Sequence, residues 1–487
     1  MAVLSLLVPP VLSRYLSQAE FSAWMLILQL AAYTALLNLG FQSATSRYVA
    51  HYLARNDRNS ASKIVSTAVF SLVFMAMLAT VVIFAVGANI GRLFPALPAS
   101  LVAASRTGLL IIGVALALGM PVEAIAGTLI GIQRNELVAG IQGGTRLVLA
   151  IVLTAIVALR GGVKSMAVAF ATVSIAGYLC FWWVSKRLDV VDLSFRYANW
   201  ESLRKIWAYC GILLVWTVAM FFINGFDVAI VGRLDFASVG VYSACFGPIL
   251  LIAGAQQAIF SPLLQIGAAR FSQGSEVSVP QLLLHSTKFS TLLLLSMSIP
   301  LLLFSRELIE WWLGPRYGNS AVVIFRLLLI GNTTRLLATP YAMLLLATLA
   351  HRRVILPPII EAACNVLVAI AAGLRFGAIG VACGVVAGAF IGQLMIVYIN
   401  APRTMEVIGD VRAVLWRGVG QPIACFLPGV AAALLAVKKL PQPARSLIDL
   451  FALAACAALA WRFLIVADEK DWIRSMTSRR NLRKNHD

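Results

Sequence analysis

The sequence predicts an all-α, polytopic membrane protein: about fourteen transmembrane helices, in two six-helix lobes followed by two further helices. Three observations carry that prediction. The first is composition: of 487 residues, 61% are hydrophobic and 12% charged, against about 25% charged in an ordinary soluble domain. The second is the spacing of the charges. Asp, Glu, Lys and Arg are absent from Ile64 to Gly91, Ile206 to Phe226, Phe236 to Ala269, Phe376 to Pro402 and Gly418 to Val437. Each run reaches the roughly 20 apolar residues that a helix needs to cross a bilayer. The third is an internal echo. LRGGVKSMAVAFATVSIAG (Leu159 to Gly177) returns as LRFGAIGVACGVVAGAFIG (Leu374 to Gly392). Strict two-residue alternation is lacking, which argues against an outer-membrane barrel.

Taken in order, the apolar spans fall near 1–16, 21–43, 64–87, 107–131, 137–159, 163–185, 206–224, 239–262, 283–304, 322–346, 353–373, 378–399, 415–437 and 446–466. Connections are short, and the longest lies between the sixth and seventh spans. The expected organisation is a first lobe over 1–186, a cytoplasmic linker over 187–205 and a second lobe over 206–400. Two added helices over 401–466 and a basic tail over 467–487 complete it. The first run has thirteen residues before Arg14, which at 1.5 Å each fall short of a core of about 30 Å. A start assigned late, or a truncation, is the expectation there. That run has neither a basic leader nor a small-residue cleavage site, so no cleavable signal peptide is expected.

The echo gains a place in this layout. Its first copy joins spans 5 and 6, its second spans 11 and 12. A second pair agrees: LSRYLSQAEFSAW leads into span 2 and VGRLDFASVGVY into span 8. There Arg14 matches Arg233 and Trp24 matches Tyr242. Six helices per copy is an even number, so both copies share one orientation. This is a parallel repeat about an axis along the membrane normal, with a site expected between the halves.

All seven cysteines lie in apolar segments without CxxC spacing, and the four histidines are scattered. Packed thiols are expected, with no metal and no cofactor. The formal net charge of +19 would suggest nucleic acid in a soluble protein. Here it is read as loops that touch membrane lipids, with no nucleic-acid partner. With the N-terminus inside, 24 of the 39 Lys and Arg fall on the inner side and 12 outside, and Arg146, Arg326 and Arg335 lie within spans. Both termini are therefore expected in the cytoplasm.

The opening VPPVLSRYLSQAEFSAWMLILQLAAYTALLNLGFQSATSRYVA resembles that of bacterial polysaccharide-biosynthesis membrane proteins, the O-antigen and exopolysaccharide repeat-unit flippases of the multidrug/oligosaccharidyl-lipid/polysaccharide superfamily. FDVAIVGRLDFASVGVYSA, WLGPRYGNSA and RFGAIGVACGVVAG extend the resemblance over about residues 1–400. It implies two lobes around a central cavity in the bacterial inner membrane. It also implies alternating-access transfer of polyprenyl-pyrophosphate-linked oligosaccharide, with other polysaccharide-assembly proteins as candidate partners. A drug/cation antiporter and a lipid II flippase remain open within the superfamily. Outside it, a membrane glycosyltransferase or polymerase remains open, although the short outer loops speak against an enzyme.

An ionisable group inside a span costs at least about 2.5 kcal/mol on insertion scales, so each needs a reason. Glu123 in span 4 and Arg146 in span 5 flank one tight turn at similar depth. Arg335 and Glu361 occupy spans 10 and 11 with the signs exchanged, and Glu361 lies at the echo's offset from Arg146. Two readings stand: ion pairs that pin helical hairpins, or groups facing a cavity, where arginine could fork onto a pyrophosphate. Arg47, at the end of span 2, is the candidate at the cytoplasmic mouth. Asp227 ends span 7, and Arg233 follows in an outer loop. With Arg14, they are the candidate outer gate, unless they only snorkel to the interface.

A periplasmic phosphatase fused after Pro95 is expected to be active and one fused after Asn56 inactive. The reverse pattern would overturn the assigned orientation.

Overall fold

The computed structural model describes residues 2–272, 278–348, 350–354 and 356–437. Among them every regular element is helical, as the bilayer demands: with no water to satisfy N–H and C=O groups, a spanning segment must pair them internally. The protein is an all-α polytopic membrane protein. Its principal helices are α1 (Ala2–Tyr15), α2 (Gln18–Ala32), α3 (Phe41–Leu53), α4 (Arg58–Ala88), α5 (Ala99–Gly131), α6 (Asn135–Ala158), α7 (Val163–Leu188), α8 (Trp200–Asn224), α9 (Asp227–Leu234), α10 (Val239–Phe260), α11 (Leu263–Ser272), α12 (Ser278–Leu303), α13 (Ser305–Trp312), α14 (Gly318–Leu336), α15 (Thr339–Ala347), α16 (Leu356–Met395) and α17 (Gln421–Val437).

Among the described residues, ten helical segments are long and apolar enough to cross a membrane. The sequence expectation of about fourteen spans differs for local reasons. Helix α16 is two spans folded together at Gly377, whose φ of 57° breaks the helical path. At 14 and 17 residues, α1 and α17 are short. The expected span over 446–466 and the tail over 467–487 lie outside the described residues.

Span 2 is broken. After α2 a 3-10 turn covers Tyr33–Asn38, then Leu39 and Gly40 both take left-handed backbone before α3 starts. Arg47 therefore sits in the middle of α3 and not at a helix end. Span 7 also ends differently: Asp227 opens the short helix α9, and Arg233 occupies its last turn, not a loop. Three of the long helices, α2, α4 and α8, start with side-chain caps. Ser17 and Glu20 form a reciprocal box at α2, and Asp57 accepts from the Ser60 amide at 2.9 Å at α4. These groups satisfy amides that the first turn leaves unpaired.

Chain contacts divide the protein into two compact units. The first holds the chain through Leu251 with Ile309–Leu328 and Pro358–Gly392; the second holds Ile252–Leu308, Leu329–Pro357 and the chain from Gln393. In the first, small residues set how closely helices approach. Gly127 and Gly131 form a GxxxG pair on α5. A Cβ at these positions would lie 2.6 Å from the Gln42 carbonyl oxygen and 2.8 Å from that of Ser46, on α3. Such pairs let backbones touch where lipid supplies no hydrophobic drive between helices.

The echo has the same origin. On the second limb of α16, glycines recur every fourth residue from Gly380 to Gly392. Gly380 lies against the Ala372 carbonyl, and a Cβ on Gly384 would come within 2.7 Å of the Ala369 amide and the Asn365 carbonyl oxygen. A Cβ on Gly392 would lie 2.5 Å from Glu361 Oε2; at its counterpart Gly177, a Cβ would lie 2.6 Å from Thr145 Oγ1. Both copies thus encode a tight helical hairpin. They differ at the turn, where positive φ falls on Arg160 in one and on Gly377 in the other.

The second unit packs around Phe260, Leu263, Leu283, Tyr341 and Leu344. Buried polar bonds hold it: Gln256 Nε2 donates to Ser290 Oγ at 2.8 Å, Thr291 Oγ1 donates to the Gly418 carbonyl at 2.9 Å, and Tyr341 and Thr404 share a hydroxyl bond at 2.9 Å.

Gly127→Leu and Gly384→Leu are each expected to cost about 1–3 kcal/mol by overpacking, read as a lower melting temperature in detergent. Gly140→Leu, at a site with no neighbour within 4 Å, is expected to leave it unchanged.

Candidate functional site

Within the first unit, α1, α2, α5, α6, α7 and α10 line a half-open cavity of about 570 Å³. Its wall is mostly apolar and includes Leu12, Trp24, Leu116 and Phe246; its polar members include Glu123 on α5, Gln142, Thr145 and Arg146 on α6, and Ser174 and Tyr178 on α7. Two glycines shape the wall. Gly119 lies directly against the Tyr178 ring, where a Cβ would collide, and Gly177 makes room for Thr145. Pro9 and Pro248 lie within helices that face this space.

Glu123 is half-buried and Arg146 is exposed, and both line the cavity. Among the described residues, neither makes a hydrogen bond or an ion pair within 4.0 Å. Of the two sequence readings, the pair that pins a hairpin is therefore not formed here. What the wall offers is a guanidinium with five donors and a separate carboxylate acceptor.

The other expected site residues are placed elsewhere. None of Arg47, Arg335 and Glu361 lines this cavity. The Arg47 guanidinium lies over the Tyr209 ring at 5.3 Å. Arg335, in the second unit, donates from Nη1 to Asn332 Oδ1 at 3.2 Å. Glu361, in the first, packs its carboxylate over Gly392. Asp227 is buried, with 1% exposure. It accepts from Asn365 Nδ2 at 3.3 Å, and the same nitrogen lies 3.1 and 3.2 Å from the Phe222 and Ile223 carbonyl oxygens at the end of α8.

Arg14 and Arg233 behave as a related pair. Arg14 donates from Nη2 to the Trp311 carbonyl at 2.7 Å. Arg233 donates from Nη1 to the Leu93 carbonyl at 3.3 Å. Each arginine thus ties its helix to a segment far away in sequence, 297 positions on for Arg14 and 140 positions back for Arg233. The neighbours repeat the arrangement: Ser13 Oγ donates to the Leu313 carbonyl at 3.1 Å, while Gly232, one residue before Arg233, packs against Phe94. Arg316 adds a bond to the Leu16 carbonyl at 3.1 Å. The sequence pointed to the two arginines but not to their acceptors, since a backbone carbonyl carries no side-chain signature. It also missed Gln142, Thr145, Ser174, Tyr178 and Asn365. Only the adjacency of Tyr178 to the echoed Gly177 marked any of them.

No family model matches the chain, and no curated protein matches it. Solved structures do. The chain is similar to the lipid II flippase MurJ in an inward closed conformation, with a TM-score of 0.72, 15% identity and coverage of 96% of this chain and 98% of that one. It is also similar to the inward-facing conformation of a multidrug resistance MATE family transporter of the MOP superfamily, with a TM-score of 0.64, 17% identity and coverage of 83% and 95%. A third is MATE in the straight conformation, with a TM-score of 0.54, 16% identity and coverage of 81% and 91%. At these identities the likeness is one of fold: the chain has the fold of the MOP-superfamily transporters.

Asn365→Leu removes the donor shared by two helix-end carbonyls and a buried carboxylate. It is expected to cost about 1–3 kcal/mol, read as a lower melting temperature of the purified protein, with Asn365→Gln intermediate.

Proposed function

We propose that the protein is a flippase. It would carry polyprenyl-pyrophosphate-linked oligosaccharide units, of the O-antigen or exopolysaccharide kind, from the cytoplasmic to the outer leaflet of the bacterial inner membrane. The observation that carries this reading is the cavity that holds Arg146 and Glu123 without pairing them. The polar head of such a lipid cannot cross hydrocarbon unaided, and its long tail has no need to leave it. A cavity with a cationic fork, a carboxylate and several hydroxyls suits a sugar-pyrophosphate head. Arg146 stays charged at every relevant pH and can bind two phosphate oxygens at once. Glu123, with Gln142 and Tyr178, can accept or donate to sugar hydroxyls, and as a carboxylate it can also carry a proton.

In this reading, the repeat copies over 1–186 and 206–400 rock about the linker at 187–205. Arg47 receives the head at the inner mouth. Arg335 and Glu361 serve the second lobe's share of the path. Arg14 and Arg233 close the outer side through their carbonyl bonds, with Asp227 behind them. The reading includes cytoplasmic termini and contact with other polysaccharide-assembly proteins. A cavity with an arginine in its wall disfavours small organic cations, the cargo of the rival antiporter.

The test is a strain lacking this chain, with lipid-linked glycans extracted and quantified with and without a plasmid copy. Completed oligosaccharide units are expected to accumulate while surface polysaccharide falls, and the plasmid should restore both. Arg146→Ala is expected to slow export about tenfold or more, in line with the roughly 1.5–3 kcal/mol of a charge-assisted bond. Arg146→Lys should fall between. Accumulated lipid II would reassign the cargo, and incomplete units would point to an enzyme. Unchanged glycans together with new sensitivity to cationic drugs would replace the flippase with the antiporter.

A further inference from the structure

The end of α7 next to the inter-lobe linker carries two cation–aromatic stacks side by side. Lys186 Nζ lies 4.1 Å from the centroid of the Trp182 ring, and the Arg187 guanidinium 4.2 Å from that of Trp183. Both indoles remain about half exposed, at 46% and 51%. Among the described residues, neither cation has a carboxylate partner within 4.0 Å. The acids that follow are already engaged, since Asp189 and Asp192 pair with Arg58 at 3.0 and 3.5 Å.

The helix continues this patch into the membrane. Ile175, Leu179, Trp182 and Lys186 follow one another at spacings of four, three and four, which places them on one face. Ile175 and Leu179 are exposed there at 39% and 60%. The face therefore reads, along the helix, as an apolar track, an indole, then a cation. A helix C-terminus favours nearby positive charge. It does not account for two unpaired cations, each laid on an exposed indole at the head of an apolar track.

We propose that this face is a binding site for one anionic phospholipid. Its phosphate would sit between Lys186 and Arg187, the indoles at headgroup level, and an acyl chain along Leu179 and Ile175. The charge is complementary, because two cations without acid partners meet a phosphate whose lipid carries net negative charge. The stacks fix both cations in advance, so little side-chain freedom remains to be lost on binding. A soluble phosphate would use the cations but leave the apolar track uncovered, so the occupant is the lipid. The site is separate from the cavity and does not depend on the cargo.

Native mass spectrometry of the full chain in detergent tests the proposal, with phosphatidylglycerol and phosphatidylcholine of matched acyl chains as probes. Phosphatidylglycerol is expected to be retained selectively as one tightly held copy. Lys186→Gln and Arg187→Gln are each expected to weaken that retention about fivefold. Trp182→Leu with Trp183→Leu keeps both charges and should weaken it about two- to fivefold by removing the stacks. Lys164→Gln, at the opposite end of the same helix, should leave it unchanged. Equal retention of the two lipids, full retention by the Lys186→Gln/Arg187→Gln variant, or an equal loss in Lys164→Gln would overturn the assignment.

Discussion

The rest of the structure depends on backbone lying directly on backbone. A bilayer gives helices no hydrophobic reason to associate, so proximity has to come from shape. Glycine supplies it here at regular intervals. Gly127 and Gly131 admit the carbonyls of α3, and the four-residue glycine spacing on α16 folds two spans into one hairpin. Because these surfaces are smooth and tightly fitted, polar side chains can be carried between them without leaving voids. Asn365 is an example: Gly384 and Gly388 leave room beside it, and its amide donates at the end of α8.

The same device builds the cavity. Where α5 and α7 carry glycine at Gly119 and Gly177, Tyr178 and Thr145 come forward into the wall. Arg146 and Glu123 then share a space without meeting. Two opposite charges at that depth would normally seek each other. Held apart, the guanidinium and the carboxylate both stay available in the cavity wall. The reciprocal arginines show a different use of charge. Their partners are neutral carbonyls, which a charged donor binds well and which leave no counter-charge to bury.

Much of this was legible in the sequence. The charge-free runs gave the helical membrane fold, because their length is set by the thickness of hydrocarbon. The echo between Leu159 and Leu374 marked the paired hairpins, and the charged residues Glu123 and Arg146 were visible as exceptions within apolar spans. The breaks were less visible. Leu39 takes left-handed backbone and Asp227 starts a new helix instead of ending one, and neither position carries a residue type that signals it. Arg335 and Glu361 answered to Glu123 and Arg146 in repeat position, with the signs exchanged, yet they fall in different compact units. Repeat position fixes a residue's place along a helix, but not the rotation and packing that decide which space it faces. Trp311 and Leu93 were invisible for a simpler reason, since they contribute only main-chain oxygen.

A carbonyl acceptor leaves the sequence around it freer to change than a carboxylate would. An arginine bonded to a carboxylate is tied to one residue type, and loss of either side chain is felt by the other. An arginine bonded to a carbonyl is tied to a place in the backbone, whatever side chain that place bears. Position 311 or 93 can therefore take many identities while still receiving its guanidinium, and acidification cannot switch the acceptor off. Such a bond would leave no pair of positions that vary together. Only the donors, Arg14 and Arg233, would record it.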